Sequence, residues 1–200
     1  KGIYILYYSG SSSGGVIINS DNNTVSNNLV YNNSKGDAEG CDGITLMGGA
    51  NNNLVSNNVV FGNFDDGIDS SAQGGYVLGS NYNLIENNII FNNGDGPGIG
   101  DGNGQKASTN AGGGHTIRYN VVFNNERAGF DQDKALGYPQ NFYYNNIAYK
   151  NGIDSSSNSH SGFVMDAPGL PQDEDAVLYN NIAANNSRED LFRSNELAVN

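Results

Sequence analysis

The sequence predicts an all-β fold: a right-handed parallel β-helix, a solenoid of about six to seven coils with a period of about 26–35 residues. Three observations predict it. An eleven-residue segment recurs along the chain, each recurrence is followed by a second short strand signal, and the apolar runs are short and bounded by Asn and Gly.

Six segments align: Asn23 to Asn33, Asn53 to Asn63, Asn83 to Asn93, His115 to Asn125, Asn141 to Asn151 and Ala176 to Asn186. Their common form is Asn-x-[Val/Ile]-x-x-Asn-[Leu/Val/Ile]-[Val/Ile/Ala]-[Tyr/Phe]-x-Asn. With the central Asn as marker (Asn28, Asn58, Asn88, Asn120, Asn146, Asn181), the spacings are 30, 30, 32, 26 and 35. A period of this size marks a solenoid, in which each repeat buries its apolar side only against its neighbours.

The second strand signal is a Gly followed by an apolar residue: Gly43-Ile44, Gly67-Ile68, Gly129-Phe130 and Gly162-Phe163, with Gly104-Gln105 and Asp190-Leu191 as its variants. Its distance from the marker Asn alternates between 15 or 16 residues and 9, so the variation in period falls in the loops. Helical repeats need apolar residues at i, i+3, i+4 and i+7 over ten or more residues, and these runs hold only three to five. In a β-helix, equivalent residues stack at about 4.8 Å, and recurring Asn at the turns can form ladders that bond backbone or the next Asn. The Asn positions are therefore read as architecture. Tyr is plentiful (12), and most are assigned to the core, with some exposed Tyr able to stack on sugar rings.

Composition agrees. Only 36% of residues are hydrophobic, Gly is abundant (28), Pro scarce (4) and Trp absent, which suits short strands and tight turns. The whole chain, 1–200, is read as a single domain. It opens on the strand-like Gly2-Ile3-Tyr4-Ile5-Leu6 with no initiator Met or signal peptide, so further coils or a cap are expected before residue 1. A net charge of −12 disfavours nucleic acid as a partner, since phosphate binding needs a basic stripe. No run of about 18 apolar residues exists to span a bilayer, so no membrane partner is expected, and a monomer is expected. Cys41 is the lone cysteine, which rules out an intrachain disulfide and makes it a small buried hydrophobe.

Stacking the coils on the Gly-apolar strand assembles a constellation. Thr45, Asp69, Lys106, Asp131 and Val164 fall in one column; Asp42, Asp66, Asn103, Ala128 and Ser161 fall in another. Asp42 then lies beside Asp66, and Lys106 beside Asp69 from the following coil. Asp65 and Asp69 share parity opposite to Ile68, so an inward Ile68 sends both toward solvent. Four carboxylates from two adjacent coils make a hard oxygen cage of the kind Ca²⁺ takes, and without a cation they cannot all stay ionised. Zinc has no comparable site, because His115 and His160 lie in different coils. The Gly-rich stretch from Gly94 to Gly104 is no P-loop, since Gln105 separates Gly104 from Lys106 and no helix follows. It is read as a loop that carries Lys106 to the acids. Arg127, in the column over Gly102 and Asp65, can hold a substrate carboxylate bidentately or pair with a local acid; Lys134 is a second, weaker candidate.

Asp42, Asp65-Asp66-x-x-Asp69 and Gly102-Asn103-Gly104-x-Lys106, set in Asn-rich coils, resemble the family nine polysaccharide lyases, the calcium-dependent pectate lyases with a lysine base. The resemblance implies that Asp42, Asp65, Asp66 and Asp69 bind a catalytic Ca²⁺, that Lys106 is the base, and that the protein is a secreted enzyme whose partner is polygalacturonate. The chemistry is coherent on its own terms. Removing the C5 proton of a 4-linked uronate requires that the adjacent carboxylate be neutralised, and that the base be a neutral amine. Two alternatives stand beside this reading. One is a lyase or C5-epimerase acting on another uronate polymer such as alginate, and the other a non-catalytic β-helix, an adhesin or carbohydrate-binding module that Ca²⁺ stiffens.

Overall fold

The computed structural model describes residues 3–5, 15–33, 41–70, 80–94, 105–108, 112–133, 139–153, 161–166 and 176–192. These residues build three parallel sheets along one axis, as a β-helix requires. Sheet A stacks β1 (Ile3–Ile5), β2 (Val16–Ile18), β5 (Ile44–Leu46), β8 (Ile68–Asp69), β11 (Gln105–Ser108), β14 (Phe130–Asp133), β17 (Phe163–Asp166) and β20 (Leu191–Phe192). Sheet B stacks β3 (Thr24–Ser26), β6 (Leu54–Ser56), β9 (Leu84–Glu86), β12 (Thr116–Arg118), β15 (Phe142–Tyr144) and β18 (Val177–Tyr179). Sheet C stacks β4 (Leu29–Tyr31), β7 (Val59–Phe61), β10 (Ile89–Phe91), β13 (Val121–Phe123), β16 (Ile147–Tyr149) and β19 (Ile182–Ala184). Every pairing is parallel except β1 with β2, which is antiparallel, so Ile3–Ile5 is not a coil strand in step with the rest. No helix among the described residues is long and apolar enough to cross a membrane.

The corners explain the sequence. Sheets B and C follow a five-residue sub-period: three strand residues, one residue in the left-handed region, then an inward Asn. The left-handed positions include Asn22, Asn27 and Asn32 in one coil and Asn52, Asn57 and Gly62 in the next, with φ between 54° and 61°. Asn and Gly tolerate that region at least cost, so the recurrent Asn-Asn pairs combine a corner with a ladder rung. Each rung is doubly bonded. Asn88 Oδ1 accepts from the backbone N–H and the Nδ2 of Asn58 at 2.9 and 3.0 Å; Asn88 Nδ2 donates to Asn120 Oδ1 and to the Val55 carbonyl, both at 3.0 Å. The expected ladders are present at all three corners, with His115 standing in one of them: its Nδ1 accepts the Asn83 N–H at 3.2 Å.

The core is the middle residue of each three-residue strand. Val25, Val55, Ile85, Ile117 and Tyr143 line it from sheet B, and Val30, Val60, Ile90, Val122 and Ala148 from sheet C. Volume is traded between sheets: where Tyr143, Phe130 and Phe163 bring rings inward, packed edge to face, the sheet C column shrinks to Ala148. The Gly before each sheet A strand is also explained. A Cβ on Gly43 would lie 2.4 Å from Val60 Cγ1 and 2.6 Å from the Gly67 carbonyl oxygen, and one on Gly129 would lie 2.7 Å from the Gly162 carbonyl oxygen, so successive corners nest with no room for a side chain.

The aromatic that closes each repeat is not core, contrary to the sequence expectation. Three-residue strands run out, in, out, so the outward columns of sheet C are Leu29, Val59, Ile89, Val121, Ile147, Ile182 and Tyr31, Phe61, Phe91, Phe123, Tyr149, Ala184. Tyr31 is 49% exposed, and the rings from Tyr31 through Phe123 stack face to face with centroids 4.9 to 5.2 Å apart.

Candidate functional site

The predicted Thr45-to-Val164 column is that of the structure. On sheet A, Thr45 pairs with Asp69, Asp69 with Lys106, Lys106 with Asp131, and Asp131 with Val164. Lys106 therefore stands in register between two acids on neighbouring strands. The turn before the strand behaves likewise: the Asp66 N–H donates to Asp42 Oδ1 at 3.2 Å and the Gly43 N–H donates to the Asp66 carbonyl at 2.9 Å, which locks the two aspartates side by side.

Asp42, Asp66 and Asp69 converge. Each offers a carboxylate oxygen, these atoms all lie within 4.8 Å of one another, and all three residues are fully buried. Both oxygens of Asp42 already accept hydrogen bonds, Oδ2 from the Thr45 hydroxyl at 2.9 Å and Oδ1 from the Asp66 N–H. Oδ2 of Asp66 and Oδ1 of Asp69 are buried and accept none. Thr45 is a residue whose role the sequence did not disclose: it sits in the Asp69 column, yet its hydroxyl serves Asp42. Only the turn geometry, which brings Asp42 back over its own strand, shows that contact.

Asp65 lies beside this group without joining it. Its N–H donates to the Cys41 carbonyl at 3.3 Å, and its charge is close enough to act on Asp42. Burial, then the charges of Asp69 and Asp65, push the Asp42 carboxyl well above the usual carboxylate range; the Thr45 and Asp66 hydrogen bonds pull the other way.

One expectation is overturned. Asp69 and Asp65 do not face open solvent: Asp69 is fully buried and Asp65 is 6% exposed. Along the outward column of sheet A, Ile17, Thr45, Asp69 and Val164 are buried while Asp131 is half-buried. Strand parity told inside from outside of the coil, and outside is not the same as wet.

The donor set suits a hard divalent cation. Three ionised carboxylates in a low-dielectric site repel one another strongly, and Ca²⁺ takes such oxygens, completing six to eight ligands with carbonyls, water or substrate. Zinc has no such set among the described residues; His115 lies in a ladder with its ring pushed down to a pKa of about 4 by burial, which the Ser80 backbone opposes. Cys41 is buried, as expected.

Arg127 is half-buried at the corner after Asn125, in the position Asp65 holds after Asn63, two coils along the same edge. It has an interaction partner of its own. Lys134, Asn103, Gly102 and His160 lie outside the described residues.

No significant match to the chain is found among curated proteins or among solved structures. A family model described as "right handed beta helix region" matches residues 5–138, well over half of the chain, and the chain belongs to that family.

Proposed function

We propose that this β-helix is a Ca²⁺-dependent polysaccharide lyase of the pectate lyase type, cutting 4-linked polygalacturonate by β-elimination. The observation that carries the reading is the convergence of three buried carboxylates, each with an oxygen within 4.8 Å of the others, on a strand whose register partner is Lys106. Asp42, Asp66 and Asp69 would hold the ion, with Asp65 adding charge at its edge. When bound, Ca²⁺ supplies Lewis-acid neutralisation of the substrate carboxylate and so acidifies the C5 proton. The neutral amine of Lys106 takes that proton, the C4–O bond breaks as the C4–C5 double bond forms, and the departing oxygen gains a proton. Because the base must be a neutral amine and a lysine ordinarily loses its proton only near pH ~10, an alkaline optimum is expected. Arg127, on the same edge two coils away, is placed to meet a second uronate carboxylate along the polymer. Secretion follows from a polymeric extracellular substrate and is part of the same proposal.

The test is release of unsaturated uronate, followed by ultraviolet absorbance, with polygalacturonate at alkaline pH. Activity is expected with Ca²⁺, none with chelator, and a loss of at least about 10³-fold in kcat for Lys106→Ala with the fold retained. Turnover that survives Lys106→Ala refutes the base assignment, and inactivity on polygalacturonate and alginate alike removes the enzyme reading.

A further inference from the structure

We propose that the outer face of sheet C is a self-association surface, and that two copies of this chain pair there face to face about a two-fold axis. Both outward columns of that sheet, on all six strands, are apolar and carry no charged residue. The face spans six strands, about 24 Å along the axis at about 4.8 Å per step. At roughly 150–250 Å² for a fully open side chain of this size, the six residues that are 36–60% exposed present on the order of 500 Å², and their half-buried neighbours bring the face to roughly 600–700 Å². That exceeds the largest apolar patch of a typical monomer, about 300–600 Å². Two such faces bury on the order of 1,200 Å², the lower edge of a specific interface.

The surroundings have the anatomy of an interface. Exposed corner amides flank the apolar columns on both sides, Asn27, Asn57 and Asn87 along one edge and Asn32, Asn92 and Asn185 along the other, which makes a polar rim around an apolar centre. Such a face is self-complementary. Parallel ladders of similar height pack sheet on sheet at about 10 Å, and a two-fold axis brings each rim of amides against its symmetry mate. A sugar polymer is a poorer occupant. The rings lie face to face on one another, so they present edges outward, whereas sugar stacking needs ring faces.

Sedimentation equilibrium of the full chain tests the proposal. Between about 1 and 100 μM the weight-average mass is expected to rise from 21.2 kDa toward twice that value. Salt should strengthen the dimer, because each copy carries −12 and the apolar columns are uncharged, with Lys150, its ammonium 5.1 Å from the Tyr149 ring centroid, standing at their rim. Ile89→Glu with Ile147→Glu is expected to leave a monomer at every concentration, while Thr24→Glu on the outward face of sheet B leaves the dimer intact. Should the double variant not fold, Ile89→Cys reports instead, by oxidative cross-linking to a dimer near the centre of the face. A wild type that stays monomeric at about 100 μM overturns the proposal, as does equal dissociation by the sheet B substitution or failure of Ile89→Cys to cross-link.

Discussion

Replacing Asp69 with Asn separates a cation site from a merely structural acidic cluster, because the two predict opposite signs. In the ion-free protein at neutral pH, each pair of charges at 4.8 Å costs about 3 kcal/mol at an effective dielectric of about 20. Asn keeps the volume and removes two of the three repulsions. The upward push on the Asp42 carboxyl from burial and from the charges of Asp69 and Asp65 offsets part of that gain. A net gain of about 1–3 kcal/mol remains, which for a chain of this size raises the metal-free Tm by roughly 3–10 °C. In wild type, Ca²⁺ at about 100 times its Kd adds about 2.7 kcal/mol; in Asp69→Asn that increment should all but vanish. Thermal unfolding followed by circular dichroism, in chelator and in millimolar Ca²⁺, reads all four states. A variant less stable than wild type in chelator, with an undiminished response to Ca²⁺, would refute the reasoning.

Two further substitutions test the frame that holds the site. Asn88→Ala strands the Asn58 N–H in the interior and takes one partner each from the Asn58 amide and the Val55 carbonyl, while the Asn120 oxygen keeps the backbone N–H of residue 88; at about 1–3 kcal/mol for an unmet buried group it should cost about 2–4 kcal/mol, measured by chemical denaturation. His115→Asn restores the ladder and removes a buried imidazole. The folded pKa of His115, about 4, lies below its unfolded value of 6.5, so the unfolded chain binds the proton more readily between them. Its stabilisation is full above pH 6.5 and is lost as pH falls to 4, by about 3 kcal/mol in all; the wild-type-minus-variant stability difference should fall by that amount over this window.

Periodicity made the fold and the Asp69–Lys106 register legible, because in parallel coils a constant offset from one marker Asn places whole columns. The same argument set Asp42 beside Asp66, since both precede the Gly that nests under the next coil. What periodicity could not convey was depth. Asp69 belongs to the outward column yet is fully buried, while Asp131 in the same column is half-buried, and no spacing within the repeat encodes that difference. Tyr31 and Phe61 show the converse error. An aromatic that recurs every coil looks like core, yet the five-residue sub-period with its left-handed Asn makes every strand only three residues long and leaves one inward position for Val30 or Val60.

That sub-period also bears on how the site works. A rung bonded to the coil on either side leaves little freedom for one coil to slide or tilt against the next, so Asp42, Asp66 and Asp69, drawn from two coils, are held together by the ladder's hydrogen bonds in addition to the Asp66 N–H bond to Asp42. Asn63 is both a rung of that ladder and the residue immediately before Phe64-Asp65-Asp66, and its amide would meet any Cβ placed on Gly43 at 2.8 Å. The element that fixes the register of the coils is thus in contact with the turn that carries the acids. Three mutually repelling carboxylates can be kept within a few ångströms in the absence of an ion only by such an external clamp, and a site clamped in advance spends less binding energy on closing around its ligand.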